Sequence, residues 1–278
     1  MRAEPHELAA SIVAAAHAHG GLLLCSDFDG TLAPIAPTPE EAHPIESARA
    51  PLAWMSREGA AAGEGAVLPV QLAIITSRDA GDLVDHIGLG PEAVVIGCSG
   101  LERWADGHVV VDRRVEPWLP ALASATEELA DSLAAERVPG ARLERKRCAS
   151  VIHTRGLRDE ADDQALELVE SVAGRSGFAV ARGKRAVELR PPVRVDKSDA
   201  VASLRVGRWA DVALCVAGDD RPDVPMLRLA ASDAAGTAVA VADAESPPEV
   251  VAAADVSIEG PPAWGLVLAE TALLLAAG

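Results

Sequence analysis

The chain has 278 residues, 49% hydrophobic and 24% charged, an ordinary globular composition long enough for one or two domains with a sizeable core. Its 23 glycines and 19 prolines are too few and too scattered for a collagen-like or low-complexity chain. With 25 basic against 42 acidic residues the net charge is −17, which excludes the basic footprint that nucleic acid or an anionic membrane surface requires.

Targeting signals are not evident. The start, Met1-Arg2-Ala3-Glu4, leads into an apolar stretch broken by His17 and His19. These two histidines, two apart on a helix, do not face each other and make no metal pair. The longest greasy run, Ala263 to Ala277, carries Glu270 and falls short of the roughly 20 residues that span a bilayer. Cys25, Cys98, Cys148 and Cys215 are far apart in sequence and read as reduced, mostly buried thiols. The expectation is a cytoplasmic protein with no membrane or nucleic-acid partner, and nothing in the sequence demands an oligomer.

In chain order, the first elements are a strand over 21–26, a helix over 46–57, a strand over 70–75, a helix over 79–87 and a strand over 93–96. After residue 195 the alternation resumes: helix 199–205, strand 212–217, helix 225–231, strands 237–241 and 255–258, and a last helix over 266–275. The strands are continuously apolar rather than alternating, as in a parallel sheet covered on both faces, so the pattern predicts a doubly wound α/β layer. Residues 115–192 read differently, with two long helices (120–137 and 159–174), each followed by strand-like pieces (141–154 and 178–189). That predicts an α+β unit inserted between two parts of a core, 1–114 and 193–278.

The chemistry-bearing residues sit at the predicted strand ends. Asp27-Phe28-Asp29-Gly30-Thr31 follows the first strand, where ligands of such sheets bind. Two carboxylates two residues apart repel each other unless a cation keeps both ionised, although the same pattern also suits a surface turn. Gly218-Asp219-Asp220-Arg221-Pro222-Asp223 follows a second apolar strand. Three acids in five residues suit a hard, oxygen-preferring ion such as magnesium, or else an acidic helix start. Thr76-Ser77-Arg78 ends a third strand. Lys197, in Val195-Asp196-Lys197-Ser198, is one of only three lysines, with Lys146 and Lys184, in a chain that otherwise uses arginine.

In this order along the chain, the four segments closely resemble the motifs of the haloacid dehalogenase superfamily of phosphohydrolases. The insert carries Leu143-Glu144-Arg145-Lys146, then Val151-Ile152-His153-Thr154-Arg155, then Gly183-Lys184-Arg185-Ala186-Val187-Glu188-Leu189-Arg190-Pro191. This resembles the trehalose-6-phosphate phosphatases, whose cap domains carry E-x-K, H-x-R and G-K-x-x-x-E-x-x-P. The chain departs from the family pattern at Gly97-Cys98-Ser99-Gly100, where the family often has G-N-H-G, and at Ser198, where it has glycine.

The resemblance implies a Rossmann-like catalytic core with an α+β cap that selects the substrate. It makes Asp27 the nucleophile that forms an aspartyl-phosphate and Asp29 the general acid and base. Thr76 and Lys197 would neutralise charge on the phosphoryl oxygens. Magnesium would be held among Asp27, Asp29, Asp219, Asp220 and Asp223. Arg78, Glu144, Lys146 and Glu188 would bind the phosphorylated disaccharide, and His153 reads as a packed or substrate-proximal cap residue. The implied activity is hydrolysis of trehalose 6-phosphate. The alternatives are a phosphatase for a related sugar or pseudo-disaccharide (cyclitol) phosphate, a sugar phosphomutase, or a non-catalytic regulatory domain.

Overall fold

The protein is described here by a computed structural model that covers residues 2–61, 68–90, 92–183, 185–243 and 246–277. Its elements are, in chain order, α1 (Pro5–His19), β1 (Leu22–Ser26), α2 (Glu46–Ala61), β2 (Val70–Ile75), α3 (Ala80–Ile87), β3 (Val94–Gly97), β4 (Glu102–Ala105) and β5 (His108–Val111). Next come α4 (Leu119–Ala134), β6 (Arg142–Arg145), β7 (Ser150–His153), α5 (Glu160–Ser176), β8 (Ala179–Gly183) and β9 (Ala186–Arg190). The chain closes with α6 (Lys197–Leu204), β10 (Ala213–Gly218), α7 (Val224–Ser232), β11 (Gly236–Ala242), α8 (Pro248–Ala252), β12 (Val256–Glu259) and α9 (Gly260–Ala277). The chain divides into two compact units, Met1–Val110 with Val195–Gly278, and Val111–Arg194.

The larger unit is built on an eight-stranded sheet in the order β12-β11-β10-β1-β2-β3-β4-β5. The six strands from β12 to β3 are parallel, and β4 pairs antiparallel to β3. Every residue of β1 and β10 is buried, which is why both read as unbroken apolar runs. Successive side chains still divide between two layers. Leu22 and Leu24 join one core with α1, α2, α3 and α9, while Leu23 and Cys25 join the other with α6, α7 and α8.

Four elements differ from the sequence-based expectation. The strands β4 and β5 form a hairpin whose turn, Asp106-Gly107, takes positive φ at both residues (52° and 81°). That is the conformation the Asp-Gly pair favours. Helix α9 starts at Gly260, six residues before the expected start, because Pro261 and Pro262 lie in its first turn, where a missing N–H breaks no helical bond. It is long and apolar enough by length and composition to cross a bilayer, yet Trp264, Val267, Leu268, Thr271 and Leu275 are buried in the core. The short helix α8 was not expected. All four cysteines are buried.

The smaller unit has an antiparallel sheet in the order β6-β7-β9-β8. Its core lies on one face, where Ile152, Val187 and Leu189 pack with Leu122 and Leu129 of α4 and with Leu168 and Val169 of α5. By the two-residue period of strands, Glu144, His153 and Glu188 fall on the opposite face.

Candidate active site

Ser26 of β1 is level with Ile74 of β2 on one side and with Ala217 of β10 on the other. The three strands thus end together, and Asp27–Thr31, Thr76–Arg78 and Asp219–Asp223 leave the same edge of the sheet. From β1 the chain builds outward in both directions, to β2 and β3 on one side and to β10, β11 and β12 on the other. This makes β1 the switch point at which open α/β sheets bind ligands.

The turn after β1 is tight. The Phe28 carbonyl accepts from the amides of Leu32 and Ala33 at 2.8 and 2.9 Å. Gly30 has φ 86°, and a Cβ there would sit 2.1 Å from Asp219 Oδ2, so no side chain fits between the two acidic segments. Thr31 Oγ1 donates to Asp219 Oδ1 at 3.0 Å and fixes that carboxylate.

Lys197 opens α6, whose first turn is held by Asp196. Asp196 Oδ1 accepts from Asp199 N at 3.3 Å while Asp199 Oδ2 accepts from Asp196 N at 3.0 Å, a reciprocal capping box, and Asp196 Oδ1 also accepts from Ser198 N at 2.7 Å. From that start Lys197 Nζ donates to Asp27 Oδ1 at 2.6 Å and to Asp223 Oδ1 at 2.5 Å, and the lysine is 3% exposed. Asp223 Oδ2 accepts from the amides of Asp219 and Asp220 at 3.0 and 3.1 Å.

Oxygens of Asp27, Asp219 and Asp223 all lie within 4.8 Å of one another. Burial, the neighbouring Asp223 and Asp29 push the Asp27 carboxyl up to about 7 against the opposing pull of Lys197. Burial, with Asp27 and Asp223, pushes Asp219 up to about 9. Burial would lower the Lys197 ammonium, but the carboxylates of Asp223 and Asp27 outweigh it and hold the group above its ordinary value. Three carboxylates face one ammonium, so full ionisation leaves two negative charges uncompensated. A divalent, oxygen-preferring cation fits that donor set and that charge.

Two of the five acids expected at the metal have their carboxylates outside this cluster. The Asp29 carboxylate is gripped by Arg78, whose Nε and Nη2 each donate to it at 2.7 Å, while Nη1 donates to the Pro39 carbonyl at 2.7 Å. Arg78 was expected to reach for substrate. The structure clamps it on Asp29, with its guanidinium 5.0 Å above the Phe28 ring. Asp220 lies outside the cluster of Asp27, Asp219 and Asp223. Thr76 is buried, and its hydroxyl oxygen accepts from Arg78 N at 3.1 Å, which leaves the hydroxyl proton for another acceptor.

Sequence reasoning marked Gly97–Gly100 for its departure from the family pattern and missed its structural part. Cys98, Ser99 and Gly100 all have positive φ (47°, 55° and 110°). In this turn Cys98 N donates to the Arg78 carbonyl at 2.8 Å and Ser99 N to that of Thr76 at 2.9 Å. The strained turn thus braces the segment that carries the hydroxyl and the guanidinium.

In the smaller unit, Glu144 and Glu188 both pair with Val151, from β6 and β9. Two strand spacings put their backbones about 10 Å apart on the open face. Glu144 Oε2 lies 2.6 Å from His153 Nε2. Burial raises the Glu144 carboxyl, but the hydrogen bond to His153 and the charges of Lys146 and Arg142 bring it below the usual carboxylate range. Lys146 opens the turn that joins β6 to β7, its amide donating to the Ala149 carbonyl at 2.9 Å. Lys184 lies outside the described residues.

Solved structures share this fold. A trehalose-6-phosphate phosphatase related protein superposes with a TM-score of 0.75 at 21% identity, over 92% of this chain and 99% of that one. The C-terminal domain of Candida albicans trehalose-6-phosphate phosphatase gives 0.71 at 20% identity, over 97% and 98%. A haloacid dehalogenase-like hydrolase from Bacteroides thetaiotaomicron gives 0.58 at 15% identity, over 90% and 98%. The fold is that of the haloacid dehalogenase-like hydrolases. Within that class the trehalose-phosphatase family profile matches residues 25–254, and the chain belongs to this family. The trehalose-phosphate phosphatase of Mycobacterium leprae is 29% identical over 207 residues, which are 71% of this chain and 45% of that protein. That of Mycobacterium marinum is 30% identical over 202 residues, 71% and 48%. The chain spans about half the length of these curated relatives.

Proposed function

We propose that the protein is a magnesium-dependent phosphatase that hydrolyses trehalose 6-phosphate to trehalose and phosphate. The observation that carries the reading is the buried cluster of Asp27, Asp219 and Asp223 around Lys197 at the switch point of the sheet. Membership of the trehalose-phosphatase family supports the choice of substrate.

In this reading an Asp27 oxygen attacks phosphorus, the bond from phosphorus to the sugar oxygen breaks, and an aspartyl-phosphate forms. Asp29 gives its proton to the departing sugar oxygen, then takes one from the water that hydrolyses the acyl phosphate. The two hydrogen bonds from Arg78 fix where the Asp29 carboxyl stands for both transfers. Lys197 and the Thr76 hydroxyl offset charge on the phosphoryl oxygens. Asp27, the Asp29 carbonyl and Asp219 would hold magnesium, with Asp223 beside them. When bound, the ion neutralises charge on the transferring group and orients it.

The smaller unit acts as the cap and supplies the sugar contacts. Acidic Glu144 and Glu188 are poor phosphate ligands but good acceptors for sugar hydroxyls, and Lys146 adds a compact donor. A hydrogen bond to a charged group contributes about 1.5–3 kcal/mol, so losing one should lower kcat/KM about 10- to 100-fold. We expect Glu188→Ala and Glu144→Ala each to show that loss with trehalose 6-phosphate. A small aryl phosphate, which carries no sugar, should stay within a few-fold of the unsubstituted protein. If both substrates fall together, the glutamates maintain structure rather than hold sugar. If neither falls, trehalose 6-phosphate is not the substrate this unit recognises.

A further inference from the structure

Side chains of β1 alternate between the two helical layers. Ser26, in phase with Leu22, Leu24 and Phe28, falls on the side of α9. There the fully buried Trp264 donates its indole Nε1–H to Ser26 Oγ at 3.1 Å, and Ser26 Oγ donates to the Asp27 carbonyl at 2.8 Å. The direction of this chain is forced. An indole N–H can only donate, so the serine oxygen accepts from it and the hydroxyl proton goes to Asp27. The Asp27 amide in turn donates to the Ala217 carbonyl of β10 at 3.0 Å. Both polar groups of the Asp27 backbone are thereby tied, one to the neighbouring strand and one through Ser26 to the C-terminal helix. Asp27 is the first residue past β1, so these ties set the direction in which its side chain leaves the sheet.

We propose that Trp264 and Ser26 are positioning residues: together they lock the Asp27 backbone and so the line along which its carboxylate meets a phosphoryl group. The proposal rests on the reading of Asp27 as the nucleophile. Trp264 lies beyond residues 25–254, so α9 takes a part in the chemistry outside the stretch the family profile matches.

Ser26→Ala removes one buried oxygen and leaves the packing otherwise intact, while Trp264→Phe removes the donor and keeps most of the aromatic volume. The assay uses p-nitrophenyl phosphate with magnesium, so that sugar recognition plays no part. Each single variant is expected to lower kcat about tenfold with KM unchanged within about twofold, and the double variant to fall no further than Ser26→Ala, since both cut one chain. Ser26→Cys, of similar shape but a weaker donor, should fall between the unsubstituted protein and Ser26→Ala. A kcat for Ser26→Ala within about twofold of the unsubstituted protein, or losses that multiply in the double variant, would overturn the relay. An Asp27→Asn control separates the two levels of the argument. If that variant keeps turning over, the nucleophile reading fails and takes the relay with it. If it is inactive while both relay variants keep their kcat, the relay alone is wrong.

Discussion

Asp27→Asn is expected to abolish phosphate release while leaving the fold intact. The amide matches the carboxylate in shape but cannot form the acyl phosphate, so turnover at saturating substrate should fall by at least about a thousandfold. The fold should tolerate the change because Lys197 keeps its second partner, Asp223, at 2.5 Å. Burial and the nearby Asp223 already resist ionisation of Asp27, so a neutral group there relieves repulsion in the cation-free protein. The check pairs a phosphate-release assay with a thermal midpoint. Residual activity above a few per cent in clean protein would remove Asp27 from the nucleophile role.

Removal of magnesium is expected to have a comparable effect, with turnover lost in chelator and restored by excess magnesium, calcium serving poorly. Magnesium takes a tight octahedral shell, whereas calcium takes more and longer ligands and would misplace Asp27. The raised carboxyls give this prediction a pH signature. Asp27 at about 7 and Asp219 at about 9 both titrate above their ordinary value of 3.8 in the folded state. A carboxyl raised in this way stabilises the fold at acid pH, and that contribution is lost as pH climbs through the folded-state value. The cation-free protein should therefore melt at progressively lower temperature as pH rises from about 5 to about 9. Magnesium needs the ionised forms, so its addition should raise the midpoint more at about pH 8.5 than at about pH 5. Asp219→Asn should flatten the cation-free profile, abolish the magnesium-induced shift and lower turnover at least about a hundredfold. A midpoint indifferent to magnesium at every pH, with activity unchanged by chelator, would contradict the cation site.

The parts of this fold that were legible in the sequence are those fixed by local pattern. The parallel strands β1, β2 and β10 announce themselves as unbroken apolar runs, and the acids that follow each mark the working edge of the sheet. The hairpin of β4 and β5 carries a turn signal of its own, Asp106-Gly107, although the short runs on either side lack the alternation that marks a strand. The last helix, expected over 266–275, begins at Gly260 instead, with Pro261 and Pro262 in its first turn. What local pattern could not supply was partnership across the fold. Arg78 meets Asp29, and Trp264 meets Ser26, because the sheet order sets β2 and α9 against β1, and nothing in the intervening sequence encodes those contacts. The same holds for Asp223 and Asp220. Three residues apart and chemically identical, they are told apart by the hydrogen bonds of Asp223 to Lys197 and to the amides of the turn.

The most direct test is inorganic phosphate released by the purified protein, with magnesium, from a panel of phosphorylated sugars that includes trehalose 6-phosphate, glucose 6-phosphate and other disaccharide phosphates. The account predicts that trehalose 6-phosphate is hydrolysed with the highest kcat/KM of the panel, and that Asp27→Asn releases no phosphate from any member. A clear preference for another sugar phosphate, or phosphate release that survives Asp27→Asn, would contradict it.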